Sequence, residues 1–598
     1  MKAKDYYSQK LKEASIQLKI TKKKLYTNAW FRGITFITAI VATILLFRYI
    51  NQTIGFSSIF IFITILLILI KKSSFLNQKT KYIKQLMQIN QDELKALEYD
   101  FSPFYNGEEY INSSHNFSFD VDIFGENSIF QMLNRAFTSK GKKVMAKTLE
   151  NPLTDASKII LKQKAVEELY SEKNLIQNFL TNAAISNNEE KKSEIINPNS
   201  SNIFKDKFTG NLWKIILFIV PIISVSVITL AIINILHVNF IYFYSLFMLI
   251  IVGIFIKYIN KIHNTLTKQS KIHKRYSELL FIIENNNFKS TELINLQQQL
   301  TKSNKSASQI LKKYAQLLNA LDNRLNFIFA FLSNTLVLWD IQTVRKIEIH
   351  NKKFMGDFDK WINVIAEFEV YCSLAVFKFN NPSYIFPVFT NNFDFNAKEL
   401  GHPLIPINKI VKNDFAFSNQ TRTFIITGAN MAGKSTFLRT IAVNYILAQV
   451  GSVVCAKEMS VHPMNLITSI RISDSLNSDE SYFYAELKRL QYIINEIEEK
   501  PNTLIIIDEM LRGTNSNDKH KGSKGLLQKL TNKKVISFLA THDVALGDLE
   551  NQFPGKVKNY CFEAEIENNE LSFNYKIKSG ISQNLNASFL MKKMNIIE

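Results

Sequence analysis

Thr423-Phe-Ile-Ile-Thr-Gly428-Ala-Asn-Met-Ala-Gly433-Lys-Ser-Thr436 is the stretch that fixes how the C-terminal part of this chain is read. A short apolar run that favours a strand leads into a GxxxxGK[ST] loop, and Phe437 to Val450 continues as a helix. Strand, loop and helix in that order turn the backbone N–H groups of Gly428, Ala429, Asn430, Met431, Ala432 and Gly433 toward phosphate oxygens, with the helix N-terminus adding a favourable dipole. Lys434 then reaches the β and γ phosphates, and the Ser435 hydroxyl takes one position on Mg²⁺ beside Thr436.

Two further strands complete this pattern. Leu504-Ile-Ile-Ile507 ends in Asp508 and Glu509, where one carboxylate suits Mg²⁺ and the next suits the attacking water, a division that fits phosphoryl transfer. Val535-Ile-Ser-Phe-Leu539 runs to Ala540-Thr541-His542-Asp543, and His542 at that strand end is placed to bond a γ-phosphate or the water. Three strand ends at one edge of a parallel sheet predict an α/β P-loop ATPase domain with ATP and Mg²⁺ as its ligands.

With 598 residues the chain is long enough for roughly three to four structural units. Its 72 Lys+Arg against 52 Asp+Glu give a net charge of +20, which favours polyanionic partners, nucleic acid or anionic lipid. Cys372, Cys455 and Cys561 lack the paired spacing of a zinc site or a disulfide framework and read as buried small residues.

Four stretches are too apolar for a soluble surface: Gly33 to Phe47, Gly55 to Ile70, Ile215 to Leu236 and Asn239 to Ile256. They form two tight pairs. Lysines crowd the chain before the first, after the second and after the fourth, so the positive-inside rule puts all three flanking regions in the cytoplasm and predicts two membrane hairpins. Much of the excess charge lies beside the spans, where a solvated or lipid-facing role explains the lysines and weakens the nucleic-acid reading of the net charge. Within the spans, Ser224 and Asn234 are the candidates for a polar path. Few Gly or Pro interrupt 257–379, which predicts long helices, and Pro382 and Pro387 mark the break before the α/β domain.

The phosphate loop with its Asn430-Met431, together with Asp508-Glu-Met-Leu-Arg-Gly-Thr514, Ala448 to Ala456 and Ser481-Tyr-Phe-Tyr-Ala-Glu486, resembles the MutS family of DNA mismatch-repair ATPases, of the ABC class. Gly401-His402-Pro403, Asn413-Asp414 and Tyr575 to Gly580 are similar to that family's flanking strands. Ser128 to Gly141, Asn151 to Leu153, Ala165 to Leu169 and Glu369 to Ala375 resemble its helical core. The resemblance implies a mainly helical core/lever region ahead of the ATPase domain. It also implies a homodimer in which Ser481 completes the partner's ATP site in trans, and helical arms that bind DNA, duplex or branched. This chain departs from the family in several places: no Phe-x-Glu wedge of the mismatch reader stands in the first hundred residues, Ala429 and Ala432 occur where Pro and Gly are common, and Leu511 follows Met510 where Gly is usual. Ile410 and Val411 stand where an aromatic is sought against adenine.

The expected layout is a basic cytoplasmic segment 1–28, hairpin 29–72, core 73–207 with a linker over 186–207, hairpin 213–257, lever 258–380 and ATPase 381–598. These features predict a multi-pass protein of the cytoplasmic membrane, its ATPase domain cytoplasmic, that couples ATP hydrolysis to DNA binding. The alternative is a membrane ATPase that remodels a protein or lipid partner with no role in mismatch repair.

Overall fold

Forty-seven residues of unbroken helix open the structure, a computed structural model that describes residues 2–190, 204–266, 269–302, 305–418, 420–471, 482–511, 513–567, 570–583 and 597. Helix α1 (Ala3–Tyr49) turns at Ile50 and Asn51 into α2 (Gln52–Ala96), and the Asn51 side chain caps α2 by accepting from Thr53 N at 3.1 Å. At 1.5 Å per residue the pair reaches about 70 Å. Its outer half is apolar on every side, with Trp30 and Phe60 each 75% exposed. Its inner half is core: Tyr7 donates to Asn380 Oδ1 at 2.8 Å, Tyr6 and Tyr7 pack edge-on to Phe379, and the Glu93 carboxylate is buried against Arg135. The lysine-rich start is the foot of the same helix that becomes apolar beyond residue 28.

Helices α3 (Ile129–Leu133), α4 (Ser139–Glu150), α5 (Ala156–Ser171) and α6 (Lys173–Glu190) follow. The first part of the expected linker, from 186 to 190, is the end of α6, and 191–203 lies outside the described residues. The second hairpin is α7 (Asn211–Ile232) and α8 (Asn239–Leu266). By length and composition α1, α2, α7 and α8 can each cross a membrane. Ser224 Oγ lies 2.7 Å from Leu336 O and 2.6 Å from Tyr244 Oη, while Asn234 sits at φ 60° in the turn after α7.

In place of a few long helices, 270–380 folds into six of 8 to 23 residues: α9 (Ser270–Glu284), α10 (Thr291–Gln298), α11 (Ala307–Asp322), α12 (Phe327–Val337), α13 (Trp339–Phe354) and α14 (Phe358–Asn380). A small ribbon, β1 (Thr301–Lys302) and β2 (Lys305–Ser306), separates α10 from α11. The helices stop at Asn285, Gln299, Asn323, Leu338 (φ 49°) and Met355, which composition alone does not reveal as stops. Helix α14 is the buried axis of this region, and Glu369 on it accepts from the N–H groups of Phe137 and Thr138 at 2.9 and 3.1 Å.

Beyond Pro382 the chain forms two sheets. One, in the order β3-β7-β4-β5, is built from β3 (Val388–Phe389), β4 (Phe395–Leu400), β5 (Asn413–Phe417) and β7 (Glu458–Val461). The other, in the order β12-β11-β6-β10-β9-β8, is built from β6 (Thr423–Gly428), β8 (Asn465–Ser469), β9 (Thr503–Asp508), β10 (Ile536–Thr541), β11 (Val557–Glu567) and β12 (Glu570–Ser579). Five of its strands run parallel and β12 returns antiparallel along the edge. Every residue of β6, β9 and β10 is buried, as a parallel sheet covered on both faces requires. Helices α15 (Lys434–Gln449), α16 (Tyr482–Glu499), α17 (Ser516–Thr531) and the short α18 (Leu549–Gln552) make the crossovers.

His273 on α9 is fully buried between the rings of Tyr314 and Phe358, and neither ring nitrogen has a hydrogen-bond partner. Burial pushes its pKa down to about 3. The unfolded chain takes up that proton near 6.5 and the folded one only near 3, so stability is intact above about 6.5 and falls as pH drops through this window. Thermal melts between pH 7 and pH 4 should show a loss in the wild type of a few kcal/mol, at about 1.4 per pH unit, that is reduced in His273→Phe.

Candidate nucleotide site

The register of the parallel strands brings the sequence-predicted residues together. Thr427 pairs with Thr541, and Ala540 pairs with Asp508, so Gly428, Asp508 and His542 leave the sheet at the same edge. Glu509 N donates to Ala540 O at 2.9 Å, extending that alignment one residue past β9.

Gly428 has φ 148°, and a Cβ there would stand 2.5 Å from Phe562 O on β11. Gly433, at φ 107°, is the N-cap of α15, and a Cβ on it would meet the Tyr575 ring at 3.1 Å. Both glycines are thus required by backbone conformation and by close approach. Between them Ala429 and Asn430 form the loop, Met431 adopts φ 65° with its side chain 82% exposed, and Ala432 is buried. Lys434, Ser435 and Thr436 form the first turn of α15, where free backbone N–H groups point outward.

Lys434 is buried, and its Nζ donates to Gly428 O at 2.7 Å and to Ala429 O at 2.8 Å, with His542 Nε2 at 3.5 Å. Burial holds its ammonium below the ordinary range, while Glu509 and Asp508 pull the other way. His542 Nε2 stands 2.7 Å from Glu509 Oε1. Glu509 at φ 51° and Leu511 at φ 56° put two non-glycine residues in the left-handed region within one turn, a strained bend that aims the Glu509 side chain into the cavity. Glu486 on α16 holds that bend by accepting from Leu511 N at 2.5 Å. Ser481, the residue expected to act in trans, and Arg512 lie outside the described residues.

The cavity above this loop has a volume of about 410 Å³. Its floor is the loop from Ala429 to Thr436, Glu509 stands on one side, and His402, Val411, Asn413 and Tyr575 form the far wall. The aromatic rings that line the cavity are those of Phe437, Phe562 and Tyr575, none of them near Ile410 and Val411 in sequence. Ile410 is spent beneath Gly401, and Tyr575 on β12 lines the cavity at φ 53°. Asn413 fixes it there, donating to Tyr575 O and accepting from Ile577 N, both at 3.0 Å. His402 also faces the cavity, and burial, with Arg439 beside it, pushes its pKa down to about 4, so it is neutral near pH 7. The sequence signal for Tyr575 was its place in a strand paired to β11, which spacing alone does not connect to a loop more than a hundred residues earlier. His520 and Asp543, 2.7 Å apart, add a further contact beside His542 that the motifs do not announce.

Asp508 and Ser435 offer hard oxygen donors of the kind Mg²⁺ takes, and the glycine cradle at Gly428 and Gly433 leaves room for phosphate beside them. Among the described residues no cluster of three or more His, Cys, Asp or Glu could hold a metal by itself. Mg²⁺ at this edge would draw its remaining ligands from phosphate and water.

Residues 424–593 match the family model described as MutS domain V. Among curated proteins, the DNA mismatch repair protein MutS of Ehrlichia chaffeensis is 33% identical over 221 residues, covering 36% of this chain and 27% of its own length. The protein of the same name from Rickettsia canadensis is 34% identical over 224 residues, with 36% and 25% covered. That from Acetivibrio thermocellus is 30% identical over 249 residues, with 40% and 28% covered. The chain spans about a quarter of the length of these relatives.

Gly428→Ala should disrupt this edge before any ligand is considered, since the new methyl meets the β11 backbone at an unfavourable φ. The expected cost is about 1–3 kcal/mol, read as a lowered thermal midpoint.

Proposed function

We propose, from the premise that the chain belongs to the MutS family through its C-terminal domain, that it is a membrane-anchored P-loop ATPase of the ABC class. The observation that carries this reading is the convergence of Lys434, Glu509 and His542 on one cavity floored by the loop after β6. The loop N–H groups and the N-terminus of α15 bind the phosphates. Lys434 exchanges its two loop carbonyls for β and γ oxygens, and Ser435 and Asp508 would hold Mg²⁺, which supplies charge neutralisation on those oxygens. Glu509 orients and deprotonates the attacking water, and His542, paired to it, holds the carboxylate toward the γ position. Tyr575 offers an aromatic face and His402 a neutral ring to the base.

The site is composite in this reading: the chain forms a homodimer, and Ser481 of each protomer closes the cavity of the other. Helices α1, α2, α7 and α8 span the cytoplasmic membrane, with the ATPase domain on the cytoplasmic side, as their apolar outer surfaces and the lysines at their feet support. The proposed partner is DNA, duplex or branched, on the strength of the relatives' name. The exposed apolar character of the long arms favours a second reading, in which the engine remodels a membrane protein or lipid.

Glu509→Gln should keep ATP binding and slow phosphate release by about 10²–10⁴. It should also accumulate a closed dimer in size-exclusion chromatography. Unchanged turnover would remove Glu509 from the role given to it. Binding of the purified protein to duplex, mismatched and branched DNA across a salt series separates the two partner readings. Affinity that falls steeply with salt supports DNA, and none at low salt leaves the membrane partner.

A further inference from the structure

Among the described residues, helix α12 is the one apolar helix outside the four candidate spans that presents its side chains outward. Its sequence, Phe327-Ile-Phe-Ala-Phe-Leu-Ser-Asn-Thr-Leu-Val337, holds no charge, and Phe327 and Ile328 are 81% and 69% exposed. It packs against both α7 and α8, so its outward face continues theirs. We propose that α12 is a re-entrant membrane element, seated among the acyl chains of the cytoplasmic leaflet against the second hairpin. This inference rests on the membrane reading of α7 and α8.

Length and topology exclude a fifth crossing. Eleven residues of helix rise about 16 Å, roughly half of a hydrocarbon core of about 30 Å. The chain also leaves on the side it entered. Arg324, just before α12, pairs with Asp340, just after it, at 3.0 Å, and Trp339 Nε1 donates to Ala320 O at 3.1 Å. Arg324 also donates to Asn260 Oδ1 at 2.6 Å, which ties this base to the lysine-flanked end of α8. At Leu338 the chain bends by 79° into α13.

The ends of α12 are closed in the way a helix end in hydrocarbon must be. Asn326 Oδ1 accepts from Phe329 N at 3.1 Å at the start. At the finish, Ser224 Oγ, halfway along α7, donates to Leu336 O at 2.7 Å, while Asn334 Oδ1 accepts from Asp340 N at 3.0 Å and so caps the start of α13. A hydroxyl within one candidate span that satisfies a carbonyl of α12 places that carbonyl at the depth of the span.

The test uses the full chain with single added cysteines, since the three native thiols are buried: Ile328→Cys and Leu332→Cys in α12, Phe218→Cys in α7 and Lys352→Cys in α13. Each is labelled with bimane and reconstituted into vesicles of phosphatidylcholine and phosphatidylglycerol. Fluorescence is then quenched with doxyl-labelled lipid or with iodide on both sides. Bimane at 328 and 332 should be quenched by doxyl lipid as strongly as at 218, and several-fold more than at 352, with the order reversed for iodide. Lipid quenching at 218 combined with iodide quenching at 328 and 332 would overturn the inference and leave the spans intact. Lipid quenching at 218 with neither quencher effective at 328 and 332 would mean that protein covers α12, and also overturns it. A residue 218 that lipid does not quench would instead remove the membrane reading of α7 beneath it.

Discussion

The site exists because β6, β9 and β10 are parallel neighbours in matched register. Each strand is short and wholly buried, with alternate residues packed into different core layers, so a slip of one residue would exchange the sets that fill the two layers. With register fixed, the residues that follow the three strands have nowhere to go but the same edge. Gly428, Glu509 and His542 come from three separate strand ends, the first and last more than a hundred residues apart, yet their proximity requires no long-range specificity beyond strand pairing. The strained φ values at Glu509 and Leu511 are tolerated because Glu486 and the Ala540 carbonyl hold the bend from two sides.

The same edge is wired to the helical region by a compact acidic loop. Asp120 accepts from the N–H groups of Ile470 and Arg471 at 3.1 and 2.9 Å, at the end of β8. Asp122 pairs with Arg471 and, at 2.9 Å, with Arg439 on α15, the helix that begins with Lys434. Asp122 thereby touches both the helix that carries the phosphate loop and the chain that leads toward the segment expected to act in trans. Two further contacts lock the far end of α15: Leu153 N donates to Gln449 O at 3.3 Å, and a Cβ on Gly451 would meet Lys162 at 2.7 Å. Any shift of α15 would therefore be passed to the helical region, because close-packed interfaces of this kind move as discrete units.

What the chain disclosed on reading follows from how local each signal is. The phosphate loop, the Asp508-Glu509 strand end and the four long apolar helices are written in contiguous residues, and period and composition suffice for them. Tyr575 escaped because its relevance depends on β12 folding back beside β11 and on Asn413 reaching across from the other sheet. Helix α12 escaped because eleven apolar residues satisfy a buried core helix as well as a membrane element, and only its outward exposure distinguishes the two. The foot of the first hairpin escaped for the opposite reason. Its lysines conceal Tyr6 and Tyr7, whose packing on Phe379 makes the segment part of the core.

The first hairpin has no hinge between that core and its apolar end. Helix α2 carries Glu93, buried against Arg135 and bonded by Asn380 at 2.7 Å, and Phe60, 75% exposed, on a single unbroken helix. Breaking the Glu93 pairing would strand a buried charge at a cost of about 3–5 kcal/mol, so the foot of the lever resists separation from the core. A rigid lever embedded in a bilayer answers a movement of its foot by tilting. Tilt against a bilayer costs only fractions of a kcal/mol per Å of mismatch. The compliant element on the membrane reading is therefore the lipid, and a small rearrangement around Asp122 and α14 would emerge, scaled by a lever of about 70 Å, at the far end of α1 and α2.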